Sequence, residues 1–387
     1  MNFVFLSPHF PPNYSQFATA LKNLGVNVLG IADADYDSLA PELKAGLTEY
    51  YRVSDLHNYE ELVRALGYFT HRYGKLDRLD SHNEYWLEAE ARLRTDFNIT
   101  GVRMDQIDRI KRKSKMKEAF ARAGVNFARG GVVNTLEEAL ALVAQTGYPL
   151  VAKPDIGVGA AATYKIHDET QLRDFIASKP PVDYMLEEFV DGQIVTFDGL
   201  TDRDGVPVFT NSLAYSRGIM EILLDDELVY YYTQREIPAD VDTLGRRVLR
   251  AFDVRERFFH FEFFRQTGTD ELVALEVNMR PPGGLTTDMF NYACDIDIYH
   301  AWACLLAGRE FPYMGYTQKY YCCYASRKAN RAFAHSVEEI MAKYGDKFCL
   351  LESISGVFSM ALGNQGFIFR SPDFNEIVEI ADFIQAQ

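Results

Sequence analysis

The chain has 387 residues, 48% of them hydrophobic and 25% charged, which excludes a disordered or fibrous protein and suggests two or three packed units. Its formal charge of -15 argues against nucleic acid or an anionic membrane as partner, because both bind basic surfaces, but it allows a nucleotide held in a local cationic pocket. No stretch approaches ~18 consecutive apolar residues, the opening MNFVFLSPHF lacks a signal-peptide pattern, and the five cysteines show no metal-site spacing, so a cytoplasmic protein with free thiols is expected.

In chain order, the apolar run at residues 2–6 precedes a turn-rich SPHFPPNY, a helix marked by Phe17, Leu21 and Leu24, and a second run, VNVLGIAD. Strand, helix, strand is a parallel βαβ opening. Helices over 59–73 and 84–97, with a weak strand at 76–80, continue a Rossmann-like unit to about Arg103. The Gly-x-Gly-x-x-Gly fingerprint is absent, which disfavours NAD. His9, His82, Asn83 and Glu84 fall at strand ends, where such sheets bind ligands, although capping and loop roles are the stronger reading for each.

The basic segment DRIKRKSKMKEAFARAGV starts a helix that ends at Gly124. Cations at a helix start oppose its dipole, so an anionic partner is expected there. A strand near 129–133, the helix TLEEALALVAQTG and the strand YPLVAKP follow, with Lys153 at the strand end and Gly157 and Gly159 in the next loop. A lysine beside a small-residue loop suits a polyphosphate, and a plain hairpin turn looks the same. After a helix near 168–178, the segment DYMLEEFVDGQIVTFDGL reads as two strands with a break at Asp191-Gly192. Residues 206–237 continue as antiparallel strands, with Arg217, Tyr231 and Arg235 as candidate acceptor-site residues that surface charge explains equally well.

The helix DVDTLGRRVLRAF leads into FFHFEFFRQTGTDELVALEVNMRPPGG, which reads as two strands joined by a polar turn. Glu262 comes from the first strand, Glu276 and Asn278 from the second, and Arg280 extends the row. Two carboxylates, an amide oxygen and a guanidinium suit magnesium on a polyphosphate, since magnesium takes oxygen ligands and keeps waters and phosphates. A solvated hairpin is the alternative. Beyond Gly284, MFNYACDIDIYHAWACLLAG reads as one buried helix, and the tail from about Tyr316 adds strands and helices that either complete the substrate side or mediate dimerisation.

This order of pieces resembles the ATP-grasp superfamily, in particular the carbamoyl-phosphate synthase large chain and the carboxylate–amine ligases. The resemblance implies an α/β and α+β fold. A Rossmann-like unit at 1–105 would precede an ATP-grasp domain at 106–312, with a smaller lid lobe at about 118–190 and a C-terminal extension at 313–387 completing the last lobe. It implies ATP contacts from Lys113 (three residues before Met116), Lys153, Gly157, Gly159, Glu187, Glu188, Phe189 and Val190. Glu262, Glu276 and Asn278 would hold Mg2+ or Mn2+, and Arg280 would contact the transferred phosphate. The implied reaction activates a small carboxylate as an acyl phosphate and joins it to an amine; a bicarbonate-phosphorylating module and a non-catalytic nucleotide-binding protein are the alternatives. Two departures stand out: Ile194 replaces a glutamate that usually binds the ribose hydroxyls, and Ala160 and Ala161 replace Ser and Gly in the loop after Lys153.

Overall fold

The computed structural model describes residues 1–387 apart from 158–161, 217–226, 355 and 357–358. Gly159, Ala160, Ala161 and Arg217 therefore lie outside the described residues.

The first sheet is parallel and contains β1 (Asn2–Leu6), β2 (Asn27–Ala32), β3 (Glu49–Arg52) and β4 (Arg78–Asp80) in the order β3-β2-β1-β4. Alternation along β1 sends Phe3 and Phe5 to a cluster with Phe17, Leu21 and Trp302. Val4 and Leu6 go to the other face, against Leu62, Leu66 and Phe69. Both faces are thus covered, as a parallel sheet requires. The helix expected at 84–97 begins as a 3-10 turn at Glu84–Trp86 and becomes α-helical at Leu87–Asp96.

The second sheet is antiparallel: β5 (Gly130–Val132), β6 (Leu150–Pro154), β7 (Tyr164–Ile166) and β8 (Tyr184–Glu188), in the order β5-β8-β6-β7. The helices Leu136–Thr146 and Glu169–Ser178 cover one face, where Leu150, Ala152 and Leu186 pack on Ala139, Leu172 and Phe175. Period-2 geometry then turns Val151, Lys153 and Glu187 to the opposite face.

The third sheet has nine strands: β9 (Gly192–Thr201), β10 (Pro207–Asn211), β11 (Leu213–Tyr215), β12 (Tyr230–Thr233), β13 (Phe258–Gln266), β14 (Leu272–Asn278), β15 (Tyr321–Arg327), β16 (Phe348–Ser353) and β17 (Gln365–Ser371). Its order is β14-β13-β9-β11-β12-β15-β17-β16, with β10 also on β9, so the tail strands extend the same sheet. Phe197, Phe259, Phe261 and Phe263 pack against the helices Lys113–Ala123 and Ala239–Phe252. Gly245 is required there, because a side chain would run into the Phe197 ring.

One helix expectation is corrected. The segment after Gly284 forms two helices, Thr286–Cys294 and Ile298–Leu306. Asp295 adopts a left-handed conformation at the first helix end, and Asp297 caps the second through His300 N at 2.9 Å. All five cysteines are free, and Cys322 and Cys323 point into different clusters. Among the described residues no helix is long and apolar enough to cross a membrane.

Candidate active site

The strand pair β13–β14 sets Glu262 opposite Glu276 and His260 opposite Asn278. A register shift follows Glu262, where Phe263 pairs with Ala274. That bulge reverses the side-chain phase of β14, so Ala274 lies in the core beneath while Val277 and Met279, rather than Glu276 and Asn278, do so further along. Simple alternation along the whole of β14 would not have produced this row.

The row is tied together on one side. Asn278 Nδ2 donates to Glu262 Oε1 at 3.3 Å, and an Arg280 Nη2–H donates to Asn278 Oδ1 at 3.4 Å. His260 sits behind Glu262, with Nε2 3.1 Å from Glu262 Oε1 and Nδ1 2.6 Å from Asp198 Oδ1. Burial alone would lower the His260 pKa, but Asp198 and Glu262 outweigh it and raise it to about 9. The ring is thus an imidazolium donating from both nitrogens at neutral pH, which orients Glu262. Burial also opposes the Glu262 charge, yet His260, Arg280 and Lys113 hold its pKa below the usual carboxylate value.

The basic helix start finds its anions within the protein. Ser114 N donates to the buried Asp155 at 2.8 Å, Lys113 Nζ lies 3.0 Å from Glu276 Oε1, and Lys117 Nζ lies 2.8 Å from Glu187 Oε1. Asp155 thereby offsets the cations at the helix N-terminus. Lys153 Nζ reaches the second oxygen of Glu187 at 2.7 Å. Burial pushes the Glu187 carboxyl up, and Lys153 and Lys117 together bring its pKa below the usual value.

These groups enclose a cavity of about 200 Å3 between the second and third sheets, lined by Lys113, Lys153, Glu187, Glu188, Phe189 and Val190 on one side. Ile194, Glu262, Glu276, Asn278 and Arg280 line the other. Three placements differ from a simple ligand-facing role. The Glu187 carboxylate is locked between two lysines, and Glu188 forms a paired contact with the Arg129 guanidinium. Gly157 lies outside this cavity, where its carbonyl accepts from Lys113 Nζ at 3.1 Å. Phe189 carries Lys165 Nζ 3.6 Å from its ring centroid, a cation–π contact.

Sequence reading missed Lys117, His260, Asp198 and Asp155. Helical spacing of four from Lys113 and strand spacing of two from Glu262 point to the first two. Asp198 comes from β9 and Asp155 from the residue just after β6, and neither carries a local signal. Among the strand-end residues, His82 is packed among Phe5, Tyr14, Phe17 and Trp302, and its pKa is pushed down to about 4 by burial. Asn83 caps the following turn through Tyr85 N at 3.0 Å. Tyr231 is stacked between Tyr215 and Tyr324, and Arg235 donates to the Pro372 carbonyl, so neither lines the cavity.

Glu84, by contrast, is buried with its Oε2 3.6 Å from Arg280 Nε. Burial raises its pKa from 4.5 to about 7, with Arg280 opposing and Glu276 reinforcing the rise. A carboxyl whose folded pKa lies above its unfolded one stabilises the fold at low pH and loses that contribution as pH rises through the folded value. Glu84→Gln is therefore expected to gain stability relative to the unsubstituted protein between about pH 5 and pH 8, by up to about 3 kcal/mol. Urea denaturation of both proteins at several pH values measures it, and a pH-independent difference contradicts the burial argument.

Two oxygen anions and an amide oxygen on one strand pair form an open, hard-donor set that fits Mg2+ with phosphate completing it. Among the described residues no group of three or more His, Cys, Asp or Glu is placed to hold a metal ion, so the row offers only two carboxylates and an amide oxygen.

Residues 146–288 match the model of the ATP-grasp domain, and residues 108–183 match that of the carbamoyl-phosphate synthase L chain ATP-binding domain. The carbamoyl phosphate synthase large chain of Caldanaerobacter subterraneus subsp. tengcongensis is 22% identical over 242 residues, covering 59% of this chain and 21% of that protein. The L-arginine-specific L-amino acid ligase of Bacillus subtilis is 23% identical over 239 residues, covering 59% of this chain and 57% of that one. The chain thus spans only part of the length of these relatives. In fold it is similar to the L-amino acid ligase from Bacillus licheniformis, with a TM-score of 0.74 at 14% identity over 98% of this chain and 95% of that one. The N5-carboxyaminoimidazole synthetase from Staphylococcus aureus complexed with ADP gives a TM-score of 0.74 at 12% identity, with coverage of 98% and 95%. Residues 146–288 thus match an ATP-grasp domain, and the chain is similar in sequence to the carbamoyl-phosphate synthase large chain and the L-amino acid ligases and in fold to ATP-grasp ligases.

Proposed function

We propose that the protein is an ATP-dependent ligase that activates a small carboxylate as an acyl phosphate and joins it to an amine, releasing ADP and phosphate. The observation that carries this reading is the convergence of Lys113, Lys153, segment 187–190 and the Glu262, Glu276, Asn278, Arg280 row on one cavity between two antiparallel sheets. In this reading residues 106–312 form the ATP-grasp unit, with the second sheet as its lid at about 118–190.

ATP lies between the sheets. Lys153 and Lys113 meet its phosphates, and the backbone of Glu187 to Val190 borders the base, with the Phe189 ring beside it. Glu187 keeps the ammonium groups of Lys153 and Lys117 ordered through its ion pairs, and Glu188 fixes the strand edge through Arg129. Ile194 gives the ribose an apolar floor, so no carboxylate from that position holds its hydroxyls. Glu262, Glu276 and Asn278 hold Mg2+, which supplies charge neutralisation for the polyphosphate. His260 and Asp198 keep Glu262 in place. Arg280 draws charge from the γ-phosphoryl group as the substrate carboxylate attacks it.

The test is ADP release by the full chain with MgATP and a pooled panel of carboxylates and amines, with the product identified by mass spectrometry. Release that requires both an organic acid and an amine supports the reading. Bicarbonate-stimulated release without any organic acid would favour carboxyphosphate formation instead, and MgATP binding with no ADP from any pool would overturn catalysis altogether.

A further inference from the structure

A separate cavity of about 320 Å3 lies between β4 of the first sheet and the residue that follows β14. Asn278 and Arg280 line the cavity between the second and third sheets, whereas Met279 lines this one. Alternation along an extended chain thus sets the two cavities on opposite sides of the backbone there. Six arginines line the separate cavity: Arg78, Arg94, Arg109, Arg203, Arg255 and Arg257. Three carboxylates, Asp80, Asp253 and Glu256, accompany them, in a chain whose overall charge is -15.

Four of the arginines find their counter-charge within the protein. Arg78 Nε and Nη2 each lie 2.8 Å from Glu256 Oε2, and Arg255 Nε donates to Asp253 Oδ1 at 2.6 Å. Arg94 and Arg257 both lie 3.3 Å from Asp80 Oδ2, and Arg94 is also 2.7 Å from the buried Glu90. Two cations are left over. Arg109 Nε is enclosed with no hydrogen-bond partner, and among the described residues no carboxylate pairs with that side chain. Arg203 is exposed and comes only to 3.7 Å from Glu256 Oε1, on a carboxylate whose charge Arg78 already takes. That Glu256 oxygen is itself buried without a hydrogen-bond partner. Enclosed polar atoms are rarely left unpaired, so an orphaned donor and an orphaned acceptor around one cavity point to a ligand.

We propose that this cavity is a second anion site, which binds a phosphate group, free or on a small hydroxylated ester, through Arg109 and Arg203. A phosphate ester carries about -1.5 to -2 charges at pH 7, which matches the two cations left over. Guanidinium groups fit its oxygens with paired hydrogen bonds. A hydroxyl of the ligand supplies the donor that Glu256 Oε1 lacks. The volume is at the small end for ligand cavities and suits one phosphate on a short body. The assignment does not depend on the ligase reading.

Calorimetric titration of the full chain with inorganic phosphate and with glycerol 3-phosphate tests it. Arg109→Met, which keeps the apolar stem and removes the charge, is expected to weaken binding about tenfold or more, the loss of a charge-assisted hydrogen bond. Arg203→Ser, an exposed change that leaves the fold alone, is expected to weaken it about threefold. Lys153→Met, in the cavity between the sheets, is expected to leave the affinity within about twofold. With that pattern, tighter binding of glycerol 3-phosphate identifies an ester as the ligand, and tighter binding of inorganic phosphate identifies the free anion. No binding of either probe would overturn the assignment and leave the cavity to water. An affinity that falls in Lys153→Met but not in the two arginine variants would also overturn it, because the phosphate then sits between the sheets.

Discussion

Glu276→Gln is expected to lower ATP turnover by about 100-fold while the protein stays folded. Glu276 lies on β14 opposite Glu262, and its carboxylate is 3.0 Å from Lys113 Nζ. The amide keeps the shape and still accepts a hydrogen bond from Lys113, so packing is undisturbed. It removes one of the two negative charges from the oxygen row, where Mg2+ and the phosphates are proposed to sit. The rate loss should be accompanied by a higher Mg2+ concentration for half-maximal activity, read from ADP release across a magnesium titration. Turnover within about threefold of the unsubstituted protein, with an unshifted magnesium curve, would mean the row is wrongly assigned.

Glu187→Ala is expected to cost about 3 kcal/mol of stability. Glu187 is buried and its two oxygens hold Lys117 at 2.8 Å and Lys153 at 2.7 Å. Removing it leaves two buried ammonium groups facing each other with their shared counter-ion gone. The cost is therefore like-charge repulsion plus unpaid desolvation, not the loss of a surface ion pair. Adding Lys117→Met to the same chain is expected to recover part of the loss, because one of the stranded charges then disappears. Urea denaturation of the single and double variants reads this directly. A single variant within about 0.5 kcal/mol of the unsubstituted protein, the range of ordinary surface changes, would contradict the ionic account.

The parallel opening unit was legible because β1, β2 and the helix at 59–73 carry strong periodicity. β3 was not, since Glu49-Tyr-Tyr-Arg is a half-exposed edge strand with no alternation to read. The break at Asp295 was hidden because apolar residues continue on both sides of it, Met289, Phe290, Ala293 and Cys294 before and Ile298, Tyr299 and Ala301 after. In the site, Glu262, Glu276, Asn278 and Arg280 could be grouped from spacing, but their common face depends on the bulge after Glu262, which sequence spacing does not show. The residues that position them were less accessible. Asp198 reaches His260 across the β9–β13 ladder, and Asp155 reaches the start of the basic helix from the end of β6; each contact spans dozens of residues. The anionic partner anticipated for that basic helix proved to be three carboxylates of the protein itself, Asp155, Glu187 and Glu276.

The central claim is that the cavity between the sheets transfers a phosphoryl group from ATP to a substrate carboxylate. Incubating the protein with MgATP, the amine and the carboxylate labelled with 18O in both oxygens tests it most directly. If an acyl phosphate forms and the amine displaces its phosphate, the released inorganic phosphate carries one 18O from the carboxylate. Released phosphate without 18O, in a reaction that makes the ligated product, would contradict the account.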